Sequence, residues 1–127
     1  MSSVVLTVGP GHTLREAARK MTEKGVGAAI VMDEEAPGPR IISERDLLTS
    51  IGQGEDPDAE RVVDHMSDTI LSAAPDWSLE RAAVEMARRH VRHLVVFEGG
   101  EVAGILSMRD IVRCWTQEGA TSGMTPP

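Results

Sequence analysis

The stretch Ile41-Ile42-Ser43-Glu44-Arg45-Asp46 returns 64 positions later as Ile105-Leu106-Ser107-Met108-Arg109-Asp110. Ahead of it, residues 1–32 match residues 66–97 at a constant offset of 65. The residues of the first copy that recur unchanged in this longer match are Met1, Ser2, Leu6, Pro10, Leu14, Ala17, Ala18, Met21, Val26 and Val31. A repeat of this period indicates two copies of one small structural unit, so any binding site is expected twice.

Length and composition describe an aliphatic domain. The chain has 127 residues, 41% of them apolar and 2% aromatic, with a formal net charge of −7. Each copy is near the lower size limit for an independent core, so we expect the two copies to fold as one unit. The negative charge disfavours binding to nucleic-acid phosphates and to anionic membranes. The few aromatic rings cannot form a stacking platform for single-stranded nucleic acid.

Cysteine content and hydropathy indicate a cytoplasmic location. Cys114 is the only cysteine, so no intramolecular disulfide can form, as is usual in a reducing compartment. The sequence shows no apolar signal segment at its N-terminus and no apolar run of transmembrane length. We therefore expect a soluble cytoplasmic protein that does not bind membranes.

The residue pattern predicts the order β-α-β-β-α in each copy, and so an α/β (α+β) fold of two pseudo-symmetric units. Thr13 and Glu16 have the spacing of a capping box, and Gly25 stands where a glycine ends a helix. Residues 4–8 and 69–73 predict the first strand of each copy. The helix that follows Ser43 is expected to carry the apolar residues Leu47, Leu48 and Ile51.

The repeat also predicts the organisation of the chain. Unit 1 covers residues 1–52, the acidic segment 53–58 is a linker, unit 2 covers residues 59–118, and residues 119–127 form a frayed tail. Residues 59–66 predict a short helix leading into the second copy. The first copy starts at the aligned Met1 without such a lead-in, so a native start upstream of Met1 is a hypothesis.

The repeated Ser-x-Arg-Asp motif carries the most chemistry. Each copy follows an apolar strand and opens a helix, where free N–H groups and the helix dipole favour a phosphate. Ser43 or Ser107 can hydrogen-bond a phosphate oxygen, and Asp46 or Asp110 can accept both hydroxyls of a ribose. The same spacing also describes an ordinary capping box. Two copies at matching positions favour a nucleoside phosphate site.

Together these motifs make residues 1–118 resemble a tandem CBS-domain pair, also called a Bateman module. The resemblance rests on the repeat, on Val63-Asp64-His65-Met66, on residues 91–96 and on Gly104 through Asp110. It implies that the two units pack through their sheets about a pseudo-two-fold axis and leave two symmetry-related clefts. It also implies an adenosyl ligand such as AMP, ADP, ATP or S-adenosylmethionine.

The resemblance implies two sets of ligand-binding residues. One cleft would use Ser107, Asp110 and Arg92 together with Leu6, Val26 and Gly27; the other would use Ser43 and Asp46 with Leu71, Val91 and Arg92. Arg92 and His93 would place positive charge against a phosphate, and Arg109 belongs to the repeated motif.

The two copies differ at positions that bear on these clefts. Arg40 stands where the second copy has Gly104, and the pair Gly27-Ala28 stands where it has Arg92-His93. An Arg40 side chain would either block the cleft or reach a phosphate. We therefore expect the two clefts to be inequivalent.

Other reactive residues form no recognisable site in the sequence. His90 and His93 lack a cysteine or carboxylate partner at ligand spacing, so we expect no metal site. Cys114 has no evident base, and neither a P-loop nor a catalytic triad is present, so we expect no enzyme. The resemblance implies a regulatory adenosyl-binding module, without another cofactor, that acts as a homodimer or through an effector protein. The alternative is a structural or protein-interaction module with degenerate clefts and no nucleotide.

Overall fold

A computed structural model of the protein describes residues 5–35, 38–67 and 70–117. The elements in chain order are β1 (Thr7–Val8), α1 (Leu14–Lys24), β2 (Ala28–Val31), β3 (Arg40–Ser43), α2 (Glu44–Gly52), a 3-10 helix (Val62–Asp64), β4 (Ser72–Ala73), α3 (Leu79–Arg89), β5 (His93–Glu98), β6 (Glu101–Ser107) and α4 (Met108–Gln117). The strand starts expected at residues 4 and 69, the tail 119–127 and the side chain of Trp115 lie outside the described residues.

The described strands form two three-stranded sheets of the same topology. β1 pairs in parallel with β2, and β2 pairs antiparallel with β3. β4, β5 and β6 repeat this arrangement. The chain divides into two compact units after Ile70. We call Val5–Ile70 the N-terminal unit and the described residues from Leu71 onward the C-terminal unit. The predicted β-α-β-β-α order is confirmed in both.

Each unit buries an aliphatic core between its sheet and its helices. The core of the N-terminal unit consists of Val8, Leu14, Ala17, Met21, Ala29, Val31, Ile42, Leu47 and Val62. That of the C-terminal unit consists of Ala73, Ala82, Met86, Leu94, Val96, Leu106 and Ile111. Apolar residues recur along α1 and α3 at helical spacing, so each of these helices turns one apolar face to its sheet.

The signals at both ends of α1 are confirmed. The Thr13 hydroxyl accepts a hydrogen bond from the Glu16 amide, and the Glu16 carboxylate accepts one from the Thr13 amide at 3.1 Å. Gly25 closes the helix in the left-handed conformation, with φ of 66°. A side chain at that φ clashes with the neighbouring backbone, which explains the glycine. α3 ends at His90 with φ of 56°, so a non-glycine residue occupies the equivalent position.

The short lead-in helix predicted over residues 59–66 is confirmed only in part. Only Val62–Asp64 is helical, as a single 3-10 turn. The amides of Val62 and Val63 donate to the carbonyl oxygens of His12 and Pro10 instead of to carbonyls within their own segment. An α-helix that began at Ala59 would direct the Val63 amide to the carbonyl oxygen of Ala59, so the contact with the loop before α1 replaces that hydrogen bond.

Residues 53–67 lie within the N-terminal unit. The amides of Leu14 and Arg15 donate to the carbonyl oxygens of Glu60 and Pro57, and the Arg15 guanidinium forms an ion pair with Asp58. Ser67 exchanges two backbone hydrogen bonds with Ile41 on the edge of β3. The compact unit therefore extends beyond the linker that the repeat predicts at residues 53–58.

The apolar residues of α2 do not all enter the core. Leu47 is buried, whereas Leu48 is 70% exposed and Ile51 is 57% exposed. In α4, Ile111 is buried and Val112 is exposed. Leu48, Ile51 and Val112 therefore face solvent. The hydrophobic spacing of the sequence did not distinguish these exposed apolar residues from the core residues.

Candidate functional site

The first candidate site is the junction of β3 and α2 in the N-terminal unit. Ser43 caps α2, and its hydroxyl accepts a hydrogen bond from the Asp46 amide. Asp46 Oδ2 in turn accepts hydrogen bonds from the Ser43 amide at 2.8 Å and from the Ser43 hydroxyl at 3.1 Å. The capping-box interpretation is therefore correct for this copy.

The second candidate site repeats this geometry at the junction of β6 and α4. Asp110 Oδ2 accepts a hydrogen bond from the Ser107 amide at 2.9 Å, and the Asp110 amide donates to the Ser107 hydroxyl at 3.0 Å. In both copies the described hydrogen bonds of the cap are accepted by Oδ2. A carboxylate offers about four lone-pair positions, so the capping role leaves acceptor capacity for a ligand.

A second backbone contact fixes each site against its sheet. The Glu44 amide donates to the carbonyl oxygen of Gly27 at 2.9 Å, and the Met108 amide donates to that of Arg92 at 2.9 Å. The strand register agrees, since Ala28 pairs with Ser43 and His93 pairs with Ser107. The residue before β2 or β5 therefore lies beside the first turn of the helix in each unit.

The side chains on this shared frame differ between the units. Gly27 of the N-terminal unit corresponds to Arg92, an exposed residue, in the C-terminal unit. A Cβ added at Gly27 would overlap Glu44 Oε1, so the Glu44 carboxylate occupies the space that a side chain at residue 27 would take. Met108 is the counterpart of Glu44. The N-terminal site thus has carboxylates at Glu44 and Asp46, whereas the C-terminal site combines Asp110 with a guanidinium.

The predicted apolar site residues lie where the strands begin. The carbonyl oxygens of Leu6 and Leu71 accept hydrogen bonds from Ile30 and Val95, which extends the parallel pairing by one residue. Val26 and Val91 pack, partly buried, against the core of their own unit.

The predicted site residues therefore group by unit. The N-terminal unit brings together Leu6, Val26, Gly27, Ser43 and Asp46, and the C-terminal unit contains Leu71, Val91, Arg92, His93, Ser107, Arg109 and Asp110. His93 is half-buried at the start of β5, and Arg109 is exposed in the first turn of α4. Sequence reasoning missed Glu44. The sequence places Glu44 between Ser43 and Arg45, but it gives no signal that the Glu44 side chain lies against Gly27.

The groups with shifted pKa values are Arg15 and Glu16 in the first turn of α1, and Asp58, which pairs with Arg15. The hydrogen bond from the Thr13 amide is the main cause that lowers the pKa of Glu16. The hydrogen bond from Arg15 lowers the pKa of Asp58 and raises that of Arg15. These groups stabilise the fold locally and take no part in the candidate sites.

Comparison with known proteins identifies the repeated unit. The sequence profile of the CBS domain matches residues 1–53 and 60–116. The CBS domain-containing protein YhcV of Bacillus subtilis (strain 168) is 33% identical over 127 residues, which cover 98% of this chain and 89% of that protein. The uncharacterized protein MK0525 of Methanopyrus kandleri is 33% identical over 111 residues, which cover 86% of this chain. The chain spans 57% of the length of MK0525.

The fold matches solved structures of the same family. The CBS domain protein PAE2072 from Pyrobaculum aerophilum, solved in complex with AMP, superposes with a TM-score of 0.77 at 28% identity and 95% coverage of both chains. In the part of this chain that the structure describes, every helix is too short or too polar to cross a membrane. The profile matches two segments, a relative has a similar length, and the fold is shared. The chain therefore belongs to the CBS-domain family and carries two CBS domains in tandem.

Proposed function

We propose that the protein is a regulatory module that binds an adenosyl ligand, either an adenine nucleotide (AMP, ADP or ATP) or S-adenosylmethionine. The observation that carries the proposal is the pair of Ser-x-x-Asp caps on the same backbone frame, with Oδ1 of each aspartate outside the cap. The AMP complex of the P. aerophilum relative supports the choice of ligand class.

The C-terminal unit has the chemistry that suits a nucleotide. Asp110 Oδ1 is the acceptor that we assign to the ribose hydroxyls, because an ionised carboxylate accepts hydrogen bonds without donating any. The α4 N-terminus and Ser107 favour a phosphate, and the exposed guanidinium of Arg92 adds a charge-assisted donor. Arg109 contributes a second guanidinium, and His93 contributes an imidazole.

The N-terminal unit suits an anionic ligand less well. Glu44 and Asp46 place two carboxylates in the first turn of α2, and like charges near a phosphate cost free energy. Leu6, Val26, Gly27 and Ser43 supply the same backbone and apolar surfaces as their counterparts. We propose that the two copies bind ligand unequally, with the residues of the C-terminal unit more important for a phosphate.

We further propose that the protein works in the cytoplasm as a homodimer, or through an effector protein, and has no catalytic activity of its own. The exposed apolar side chains of Leu48 and Ile51 on α2 offer a contact surface for such association.

The second candidate function is a structural or protein-interaction module without a nucleotide. The observation that favours it is confined to the N-terminal unit, where the Glu44 carboxylate fills the space beside Gly27 and Arg40 replaces the glycine of the other copy. The Ser107–Asp110 cap at the start of α4, together with the exposed Arg92, favours the nucleotide-binding function over this one.

A thermal-shift screen against AMP, ADP, ATP and S-adenosylmethionine distinguishes the two functions. A ligand at 100 times its dissociation constant stabilises a protein by about 2.7 kcal/mol, which moves the melting temperature by several degrees. We expect at least one adenosyl compound to produce such a shift. If adenosine compounds and unrelated nucleotides such as UMP all leave the melting temperature unchanged, the module binds no nucleotide.

A further inference from the structure

Three metal-binding side chains meet in the N-terminal unit, outside the candidate nucleotide site. One ligand atom from each of Glu55, Glu60 and His65 lies within 4.8 Å of the other two. Glu60 Oε1 and His65 Nε2 are 2.7 Å apart. We propose that these residues bind a divalent first-row transition metal ion. The ion would link residues 55–60, which follow α2, to His65 at the end of the 3-10 helix. The proposal is independent of the nucleotide site.

The backbone holds the three residues in place from three separate turns. The Glu55 amide donates to the carbonyl oxygen of Ser50 at 3.1 Å, where the chain leaves α2. The Glu60 amide donates to that of Asp56 at 2.9 Å, and the His65 amide donates to that of Val62 at 3.0 Å. The positions of the donors are therefore set by backbone hydrogen bonds of the chain itself, which lowers the entropic cost of binding.

A buried hydroxyl orients one of the carboxylates. Ser50 is 1% exposed, and its Oγ donates a hydrogen bond to Glu55 Oε1 at 2.9 Å. Metal-binding carboxylates are usually held by such an outer hydrogen bond, which fixes the ligand oxygen and costs affinity when removed. Ser50 is the one polar residue among the described buried side chains, and it contacts this cluster.

The charges around the cluster favour a cation. Two carboxylates converge here, and among the described residues the side chain that pairs with Glu60 is the imidazole of His65, not a lysine or arginine. Glu55 contacts the uncharged hydroxyl of Ser50. The one arginine of the acidic segment 55–64, Arg61, donates instead to the carbonyl oxygen of Gly11 at 2.8 Å. A divalent ion would compensate the remaining negative charge.

The donor types indicate the class of metal. An imidazole is a common ligand of Zn²⁺, Fe²⁺, Co²⁺ and Ni²⁺, whereas Mg²⁺ and Ca²⁺ prefer oxygen ligands throughout. Coordination would use the lone pair of His65 Nε2, so that nitrogen carries no proton when a metal ion is bound. Water completes the coordination, because the three protein groups are only partly buried.

The test uses the metal-free full chain, titrated with ZnCl₂ and MnCl₂ and followed by NMR of the histidine side chains. The chain has four histidines, so the response of each can be read without any substitution. We expect Zn²⁺ to shift the His65 imidazole signals first, and Mn²⁺ to broaden them first. Signals of His12, His90 or His93 that respond before those of His65 would overturn the proposal, as would no response at all.

Two substitutions test the ligand set by calorimetry with ZnCl₂. Glu60→Gln and His65→Gln should each weaken Zn²⁺ binding at least tenfold, while the matched control His90→Asn, at a helix end in the other unit, should leave it unchanged. Melting curves in EDTA establish that each variant folds. Equal Zn²⁺ affinity in the control and in folded Glu60→Gln or His65→Gln protein would contradict the assignment.

Discussion

The backbone amide of Glu44 donates a hydrogen bond to the carbonyl oxygen of Gly27 at 2.9 Å, and the Glu44 side chain folds back over the same glycine. In the C-terminal unit the same backbone contact joins Met108 to Arg92. The two copies thus share this backbone hydrogen bond but differ in their side chains. Gly27 and Glu44 of the N-terminal unit correspond to Arg92 and Met108 of the C-terminal unit. This difference is the physical basis of our proposal that the two copies bind ligand unequally.

Substitution of Gly27 by alanine should change stability little. Gly27 has no left-handed φ, and the atom that its Cβ would meet is the end of the flexible, exposed Glu44 side chain, which can rotate away. The free energy of unfolding, measured by urea denaturation, should stay within about 0.5 kcal/mol of that of the wild type. The matched control is Gly25→Ala, where φ of 66° should make alanine destabilising by about 1 kcal/mol. Equal effects at the two positions would contradict the assignment of strain to Gly25.

His90 offers a stabilising substitution. It ends α3 with φ of 56°, a conformation that a glycine adopts without steric cost. His90→Gly relieves the strain of the left-handed conformation and should raise the free energy of unfolding by roughly 0.5–1 kcal/mol, measured in the same denaturation experiment. A lower stability than that of the wild type would show that the His90 side chain stabilises the helix end by more than its backbone strain costs.

The capping box of α1 should give stability a defined pH dependence. The pKa of Glu16 is lowered in the folded protein, chiefly by the hydrogen bond from the Thr13 amide, so the ionised carboxylate stabilises the fold. This contribution is complete above the unfolded pKa of about 4.3 and is lost as the pH falls through the lower folded value. Glu16→Gln keeps the cap and removes the charge.

Unfolding curves of both proteins between pH 7 and pH 3 test this prediction. The wild type should be the more stable of the two near neutral pH, and the difference should shrink below about pH 4.3. A difference that grows on acidification would have the wrong sign for a carboxylate with a lowered pKa.

The repeat predicted the fold well because its signals are local. Thr13, Glu16 and Gly25 determine the ends of α1 through contacts within a few residues, and each is found in its expected role. The lead-in helix at residues 59–66 is shorter than predicted for the opposite reason. The amides of Val62 and Val63 bond to a loop about 50 residues earlier, and no local pattern records that competition.

The candidate sites divide in the same way. Ser107 and Asp110 follow from their spacing, since a helix N-terminus brings residues three apart into contact. The position of Glu44 over Gly27 depends on how β2 and β3 pair, and the meeting of Glu55, Glu60 and His65 depends on three successive turns. No sequence motif marks either arrangement. The expectation that the chain has no metal site was therefore based on His90 and His93 alone.

Ser50 provides a test of the packing below that cluster. Its hydroxyl is buried and donates to Glu55, so Ser50→Ala removes the donor and leaves a small void. The free energy of unfolding in EDTA should fall by about 1 kcal/mol. An unchanged stability of Ser50→Ala would indicate that the hydrogen bond to Glu55 contributes nothing in the metal-free protein.

The most direct test of the proposed function is isothermal titration of AMP into the wild type, Asp110→Asn and Asp46→Asn. Asparagine retains an oxygen that can accept the hydrogen bond from the serine amide, so the helix caps persist, but the charge that we assign to the ribose is lost. Charge-assisted hydrogen bonds contribute roughly 1.5–3 kcal/mol, so Asp110→Asn should weaken AMP binding by about 10- to 100-fold. Asp46→Asn should weaken it less. Undiminished AMP binding by Asp110→Asn, or an equal loss in both variants, would contradict the account.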